Sequence, residues 1–431
     1  MPRFQLLLPC LGLGMFLVGV VPTGGAQPPE PAPPSAASEF ERILAARGLA
    51  DACDSLAVMI ADTTGAYGID GYRLVKGLPG ELSLAGRRDA ALALILTVEP
   101  LFGDHPVYWS ELSGAHLRNL RIDDARAALE KSLELDPRNP QHPWMLANLD
   151  DLASVIARQI AAEGRFAPGE NTGLKGPYLG QIPPGGAPEV FAPGLLSTLA
   201  HEYSISFAPD GRTIIFSRGG VGTMACRWEP EGWTAPEVLT LRGEGFLDEE
   251  AAFAGDGERI FFCSRPRDLS AEREIYLVER KGDVWGEAVH LFQGMYPTCS
   301  SDGVLYYTGI GERPDHGVIV RRLPVGEGFG EPEPVPGEGI NTPAPDAHPW
   351  IAPDGDLLLF DSYRDPGAGL FVSFRNPDGA WSEAVGLGNE LGIPPVGQPA
   401  LSHDGRYLFF CLAGDMYWVD AGFLDGMRPV R

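Results

Sequence analysis

Apolar and polar positions change rhythm once, decisively, along this chain. From about residue 39 to 165 apolar side chains recur every three or four positions in an Ala- and Leu-rich background, the period of helices that bury one face. From about 187 to 422 the rhythm becomes short apolar runs broken by Asp-Gly, which is the pattern of strands joined by tight turns. Between them 167-APGENTGLKGPYLGQIPPGGAP-188 has neither period, so residues 166–186 read as a Gly/Pro-rich connector.

The strand-rich half repeats. Its phrases are 207-FAPDGRTIIFSR-218, 253-FAGDGERIFFCSR-265, 299-CSSDGVLYYTG-309, 347-AHPWIAPDGDLLLFDSYRD-365 and 401-LSHDGRYLFF-410. The turn aspartates are Asp210, Asp256, Asp302, Asp354 and Asp404, spaced 46, 46, 52 and 50 residues apart. Self-similarity at this period predicts a β-propeller with one four-stranded blade per repeat.

A third strand and an aromatic-led tail follow each turn, as in 233-WTAPEVL-239, 285-WGEAVHL-291, 329-FGEPEPV-335 and 381-WSEAVGL-387. The fifth repeat lacks its tail, and 187-APEVFAPG-194 stands before the first. Ring closure therefore predicts five blades, with the strand near Pro188 to Phe191 completing the last; a sixth, cryptic blade is the alternative. The expected fold class is an all-β propeller preceded by a small α-helical domain.

In the helical half, 108-YWSELSGAHLRNLRIDDARAALEKSLELDPRNP-140 places Trp109, Leu112, Ser113, His116, Ala125, Leu129, Ser132 and Pro137 at the spacing of a tetratricopeptide-like helical hairpin, with Ala125 small enough for close helix approach.

Residues 1–26 read as a secretory signal peptide: Arg3, an apolar run from Phe4 to Val21, and small Gly24 and Ala26 before Gln27, with retention as an anchor the alternative. Residues 27–38 are a Pro-rich linker. The expected location is periplasmic or secreted. The net charge of -25 argues against nucleic acid and anionic membranes as partners. Five cysteines remain after residue 26, an odd and scattered set, so Cys263 and Cys411, at the same repeat position, are expected as buried core residues rather than disulfide partners.

Aligned repeats also locate candidate chemistry. Eight residues before each turn aspartate stand Glu202, Asp248, Gly294, Asp346 and Val396; six before stand Ser204, Glu250, Tyr296, His348 and Gln398. Arg218, Arg265 and Arg364 follow the second strand in three repeats. One channel mouth is thus expected to gather Glu202, Asp248, Glu250, Asp346, His348, Arg218, Arg265, Arg364 and His201 as a polar ligand site. The competing expectation is that acids and arginines pair across neighbouring blades and tie the ring together.

No GxSxG, HExxH or P-loop occurs, and neither a cofactor nor a metal is expected. Trp233, Trp285 and Trp381 share an outer-strand position that suits blade packing.

The repeated F-[AS]-x-D-G-x-x-I-x-F phrase with its Ser-Arg ending resembles the WD40-like repeat of TolB-type β-propellers. The order of helical repeats, a "GPYLGQ.PPG" connector and five such phrases resembles a group of exported bacterial proteins, over residues 105 to 420. That resemblance implies a periplasmic binding scaffold, although the helical half departs from TolB. The function expected is non-enzymatic binding or scaffolding of a protein partner or a small polar or carbohydrate ligand; the alternative is a propeller-based lyase or hydrolase working on carbohydrate at the channel mouth.

Overall fold

A computed structural model describes residues 33–62, 66–139, 141–268, 270–282, 284–310, 317–364 and 367–429. The signal-peptide reading and most of the Pro-rich linker lie outside the described residues. Two compact units divide after Ala157.

The first unit is built of helices. Those at Ala36–Arg47, Leu49–Ala61, Leu78–Leu84, Arg88–Thr97, Pro106–Arg118 and Ile122–Leu135 bury Phe40, Leu56, Leu94, Tyr108 and Leu112. The first helix begins at Ala36, within the stretch read as a linker, and both Ala36 and Ala37 are buried. Small residues can be covered without the rotamer entropy that resists burial of long side chains. The helical hairpin sits where the repeat pattern put it, at Pro106–Arg118 and Ile122–Leu135. Ala125 and Leu129 are fully buried, and Ser113 and Ser132 donate to the carbonyls of Ala125 and Pro106 at 2.9 and 2.7 Å, so polar groups at the close approach are satisfied.

The second unit is a propeller of five blades among the described residues. Its inner strands are Glu202–Phe207, Phe246–Phe253, Met295–Cys299, Asp346–Ile351 and Gly397–Leu401, each touching the next and the fifth touching the first. Each pairs with a second strand across the Asp-Gly turn and then with a third. The tails complete the outer edges, as Glu237–Val238, Val289–Gln293 and Val385–Gly386. In the fifth blade Glu189–Val190 takes that place, opposite Trp418 and Tyr417, so the first and last strands of the propeller share one sheet and no edge is left open at the seam.

The connector is a second latch on that seam. Thr172 N–H donates to the Trp233 carbonyl and Trp233 N–H to that of Leu174, extending the first blade's outer edge. Tyr178 then packs against Phe207 of the first blade and Tyr407 and Trp418 of the fifth, and its hydroxyl reaches Asp404 at 2.7 Å. Gln181 bonds both the carbonyl of Val190 and the N–H of Ala192 through its side chain. A stretch without periodicity thus becomes ordered by tertiary contacts alone.

The tryptophans pack as expected from their position. Trp233 is buried with its indole N–H on the Gly176 carbonyl, and Trp381 meets Tyr306 of the preceding blade edge-to-face. Cys263 is buried, Cys411 is half-buried, and both are free thiols. Among the described residues no helix is long and apolar enough to cross a membrane.

Candidate functional site

All five inner strands break at one position. Ser204, Glu250, Tyr296, His348 and Gln398 have φ of 54, 57, 53, 53 and 60°, the left-handed region that non-glycine residues avoid. At each, strand register shifts, between Tyr203 and Ser206, Glu249 and Ala252, Met295 and Thr298, Ala347 and Trp350, and Gly397 and Ala400. These are β-bulges, which re-aim side chains. The five bulge residues line one small central cavity of about 30 Å³, room for little more than a water molecule or a compact polar head.

Neighbouring blades hold the strained backbone. The bulge N–H of Glu250 donates to Ser217 Oγ at 2.7 Å, that of Tyr296 to Glu250 Oε2 at 3.0 Å, that of His348 to Thr308 Oγ1 at 3.0 Å and that of Gln398 to Asp361 Oδ2 at 3.0 Å. Each bond crosses from one blade to the next, so the bulges form a belt around the channel.

The belt's polar groups fall into two linked sets. In one, Glu249 accepts from Tyr203 Oη at 2.7 Å and from Arg273 Nη2 at 3.1 Å, with Arg265 Nη2 at 3.9 Å and Arg273 Nε 3.8 Å from Glu250. Burial opposes charge on Arg273, but Glu250 and Glu249 outweigh it and raise its pKa; burial and the adjacent Arg273 lower that of Arg265. Burial, reinforced by the carboxylates, also raises the Tyr203 and Tyr296 hydroxyls well above their ordinary value.

In the other set His348 Nδ1 lies 2.6 Å from Asp361 Oδ2, and the His348 ring stands edge-to-face on Tyr296 with centroids 3.9 Å apart. Gln398 Nε2 donates to Tyr296 Oη at 3.2 Å. Because the carboxylate accepts, Nδ1 carries a proton. In the buried belt the acceptors Gln398 Oε1 and Asp361 Oδ1 and the donor Arg265 Nε make no hydrogen bond among the described residues, and Glu250 Oε1 faces Arg273 Nε at 3.8 Å, beyond hydrogen-bond distance.

The positions eight before the turn serve the loops instead. Glu202 is fully buried, accepts from the N–H and hydroxyl of Thr198, and pairs with Arg218 Nε at 2.7 Å. Burial pushes its carboxyl up against the pull of Arg218. Asp346 likewise accepts from the N–H and hydroxyl of Thr342 and pairs with Arg364 Nη2 at 3.2 Å, and Asp248 accepts the N–H groups of Leu241 and Arg242. The Glu202–Arg218 and Asp346–Arg364 pairs lie within one blade, not across neighbours, because the two members stand on paired inner and second strands. His201 stacks beside Tyr203 and places Nε2 3.4 Å from Cys411 Sγ.

The geometry thus draws Glu250, His348 and, through Glu249, Arg265 to the channel, and it puts Glu202, Asp248, Asp346, Arg218 and Arg364 at loop anchors. Asp361, Glu249, Arg273 and Tyr203 were not singled out from sequence. Asp361 had a signal: seven residues after the turn, other repeats carry Ser217, Cys263, Gly309 and Cys411, and only here is the residue a carboxylate. The bulges had one too, since Pro297, Pro349 and Pro399 directly follow three of them, and proline inside an inner strand marks a bulge. Among the described residues no group of three His, Cys, Asp or Glu converges as metal ligands would.

A larger cavity, about 610 Å³, opens at the turn face of the fourth and fifth blades, between Trp350, Asp354, His403, Arg406, Leu424 and Arg428. Within its lining Asp356 pairs with Arg428 at 2.8 Å.

No known family profile matches the chain. No curated protein matches it either. Similar solved structures include TolB from Acinetobacter baumannii, at 15% identity and a TM-score of 0.36 over 54% of this chain and 59% of that one. A gluconolactonase from Xanthomonas campestris matches at 12% identity and a TM-score of 0.33, over 51% of this chain and 85% of that one. An oligogalacturonate lyase in complex with manganese matches at 12% identity and 0.32, over 49% and 58%. The chain thus spans less than two thirds of the TolB structure it resembles. Likeness this slight carries nothing about activity; the class of this protein, a five-bladed β-propeller with an N-terminal helical unit, rests on its own strand topology.

Proposed function

We propose that this chain is an exported, non-enzymatic binding or scaffold protein whose propeller channel takes a small polar ligand or a polar side chain of a protein partner, with the helical hairpins offering a further protein-binding surface. One observation carries the reading. The backbone repeats fivefold at the bulges, yet the side chains it presents are five different ones, Ser204, Glu250, Tyr296, His348 and Gln398. Packing of a symmetric ring has no use for that variety, whereas recognition of an asymmetric group does. The test is affinity capture with the tagged chain from its native extract, wild type beside His348→Ala. A stoichiometric partner that the wild type retains and the variant loses supports the reading; a wild-type chain that always runs alone and binds no small ligand sinks it.

A second reading, a hydrolase or lyase, is favoured by the His348–Asp361 pair. A carboxylate that orients an imidazole through Nδ1 is the arrangement of a general base. Turnover of acidic polysaccharides or glycosides by the wild type, lost in both His348→Ala and Asp361→Asn, supports it; no turnover, or equal turnover in all three, removes it.

A further inference from the structure

We propose that Trp350 is the floor of the channel: it shuts the ring on the turn side, so a ligand reaches the bulge residues from the opposite mouth and only to the depth at which it meets the indole. This rests on the binding reading above and adds to it the residue that sets how long a group the channel accepts.

The repeat singles Trp350 out. Four residues before the turn aspartates stand Ser206, Ala252, Thr298, Trp350 and Ala400. Four of the five are small, and the fourth blade alone carries an indole. Equivalent places on five inner strands converge on one axis, where five large side chains would collide and one is enough to fill the space. The position is two residues nearer the turn than the bulge, so a side chain filling the axis here lies between the bulge residues and the turn face.

Two cavities meet at this residue. The one of about 30 Å³ at the bulges is lined by Ser206, Ala252, Thr298 and Trp350, and the one of about 610 Å³ at the turn face is lined by Trp350 as well. Among the described residues Trp350 is the one that the two linings share. A residue with a cavity on either side is a partition. From the fourth blade it packs against the apolar cluster of the first and fifth, which includes Phe207, Ala400 and Tyr407, so it reaches out of its own blade.

The partition is held in place. Thr298 Oγ1 of the third blade donates to the Pro349 carbonyl at 3.1 Å and accepts the Ile351 N–H at 3.3 Å. One hydroxyl thus fixes the peptide groups on both sides of Trp350, and Pro349 restrains the backbone further. A half-buried indole on so fixed a backbone is a wall, and a wall selects ligands by refusing those that would run into it.

The experiment places a thiol in the channel with Ser204→Cys in the full-length chain and follows its reaction with a bulky biotin-maleimide. Peptide mass mapping reads position 204 apart from the native thiols. Adding Trp350→Ala is expected to speed labelling at 204 by about tenfold or more, because the thiol then opens onto the turn-face cavity. Arg428→Ala, which widens the turn-face cavity without touching the partition, is expected to leave the rate unchanged. Buried Cys263 is the internal control for unfolding. Should it label in step with position 204 in Trp350→Ala, the smaller change Trp350→Phe decides: faster labelling confined to position 204 supports the floor, and none overturns it. An unchanged rate in Trp350→Ala, or an equal rise in Arg428→Ala, overturns it too. A partner captured in the manner above together with an unchanged rate at 204 would sink the floor and leave the binding reading standing. Opening at 204 in a chain that captures nothing would keep the partition and remove its role in selecting a ligand.

Discussion

Two left-handed positions recur in every blade, and they are solved in opposite ways. At the turn the residue is glycine each time: Gly211, Gly257, Gly303, Gly355 and Gly405 have φ of 66, 70, 85, 74 and 71°. At the bulge it is never glycine. The turn is local; each glycine N–H closes on the carbonyl three residues back, Ala208, Ala254, Ser300, Ala352 and Ser402, and each turn aspartate accepts the N–H two residues on. Glycine lowers the cost of that conformation, so the residue is demanded and the sequence repeats. Four of the five bulges, at Glu250, Tyr296, His348 and Gln398, are held from outside, by side chains of the neighbouring blade on their N–H groups, and the residue there can differ. Where tertiary contacts carry backbone strain, identity is released for recognition; where the chain carries it alone, identity is spent on the fold.

The largest expected effect breaks the external support. Asp361→Ala removes both the cap on the Gln398 N–H and the partner of His348 Nδ1, leaving buried groups unpaired. A loss of about 2–4 kcal/mol in chemical denaturation is expected; a loss under about 0.5 kcal/mol, the range of an ordinary surface change, would show that the bulges stand unaided.

The next is a pair of opposite sign. Gly355→Val at the turn puts a β-branched residue at positive φ and should cost about 1–2 kcal/mol. Ser204→Gly at the bulge relieves the same kind of strain and should be neutral or stabilise by up to about 1 kcal/mol. Melting temperatures that move together, in either direction, would contradict the contrast drawn here.

The smallest concerns the seam. Burial opposes ionisation of Asp404, but bonds from Tyr178, Ser402 and the Arg406 N–H lower its pKa below the usual 3.8. A depressed carboxyl contributes stability that is complete above its ordinary pKa and is lost as pH falls through the folded value. Asp404→Asn should therefore melt lower than wild type at neutral pH and converge with it in acid below pH 3.8. A gap that persists unchanged in acid would mean that the tyrosine latch does not depend on the carboxylate.

Much of the fold is legible in the sequence because its determinants are local. The Asp-Gly spacing marks the blades, and the tail missing from the fifth repeat and present at 187–194 marks the closure, since an open edge has to be filled. The channel was legible as a location. Counting back from the turn reached Glu250 and His348, because side-chain alternation carries register along a strand. It did not separate the residues that face the axis from those that tie down loops. Positions six and eight before the turn share a face in a regular strand, and only the bulge between them sends one inward and the other to a loop.

What the sequence by itself determined is therefore what short-range physics dictates: turns that need glycine, apolar runs that need covering, and a period that counts blades. What only the tertiary structure decided is which polar groups meet. The His348–Asp361 contact joins two strands of one blade, Glu250 supports Tyr296 of the next, and the aperiodic connector closes the ring through Tyr178. Those contacts depend on where a closed ring brings distant strands together, and hydrogen bonds of that kind leave no period in the chain.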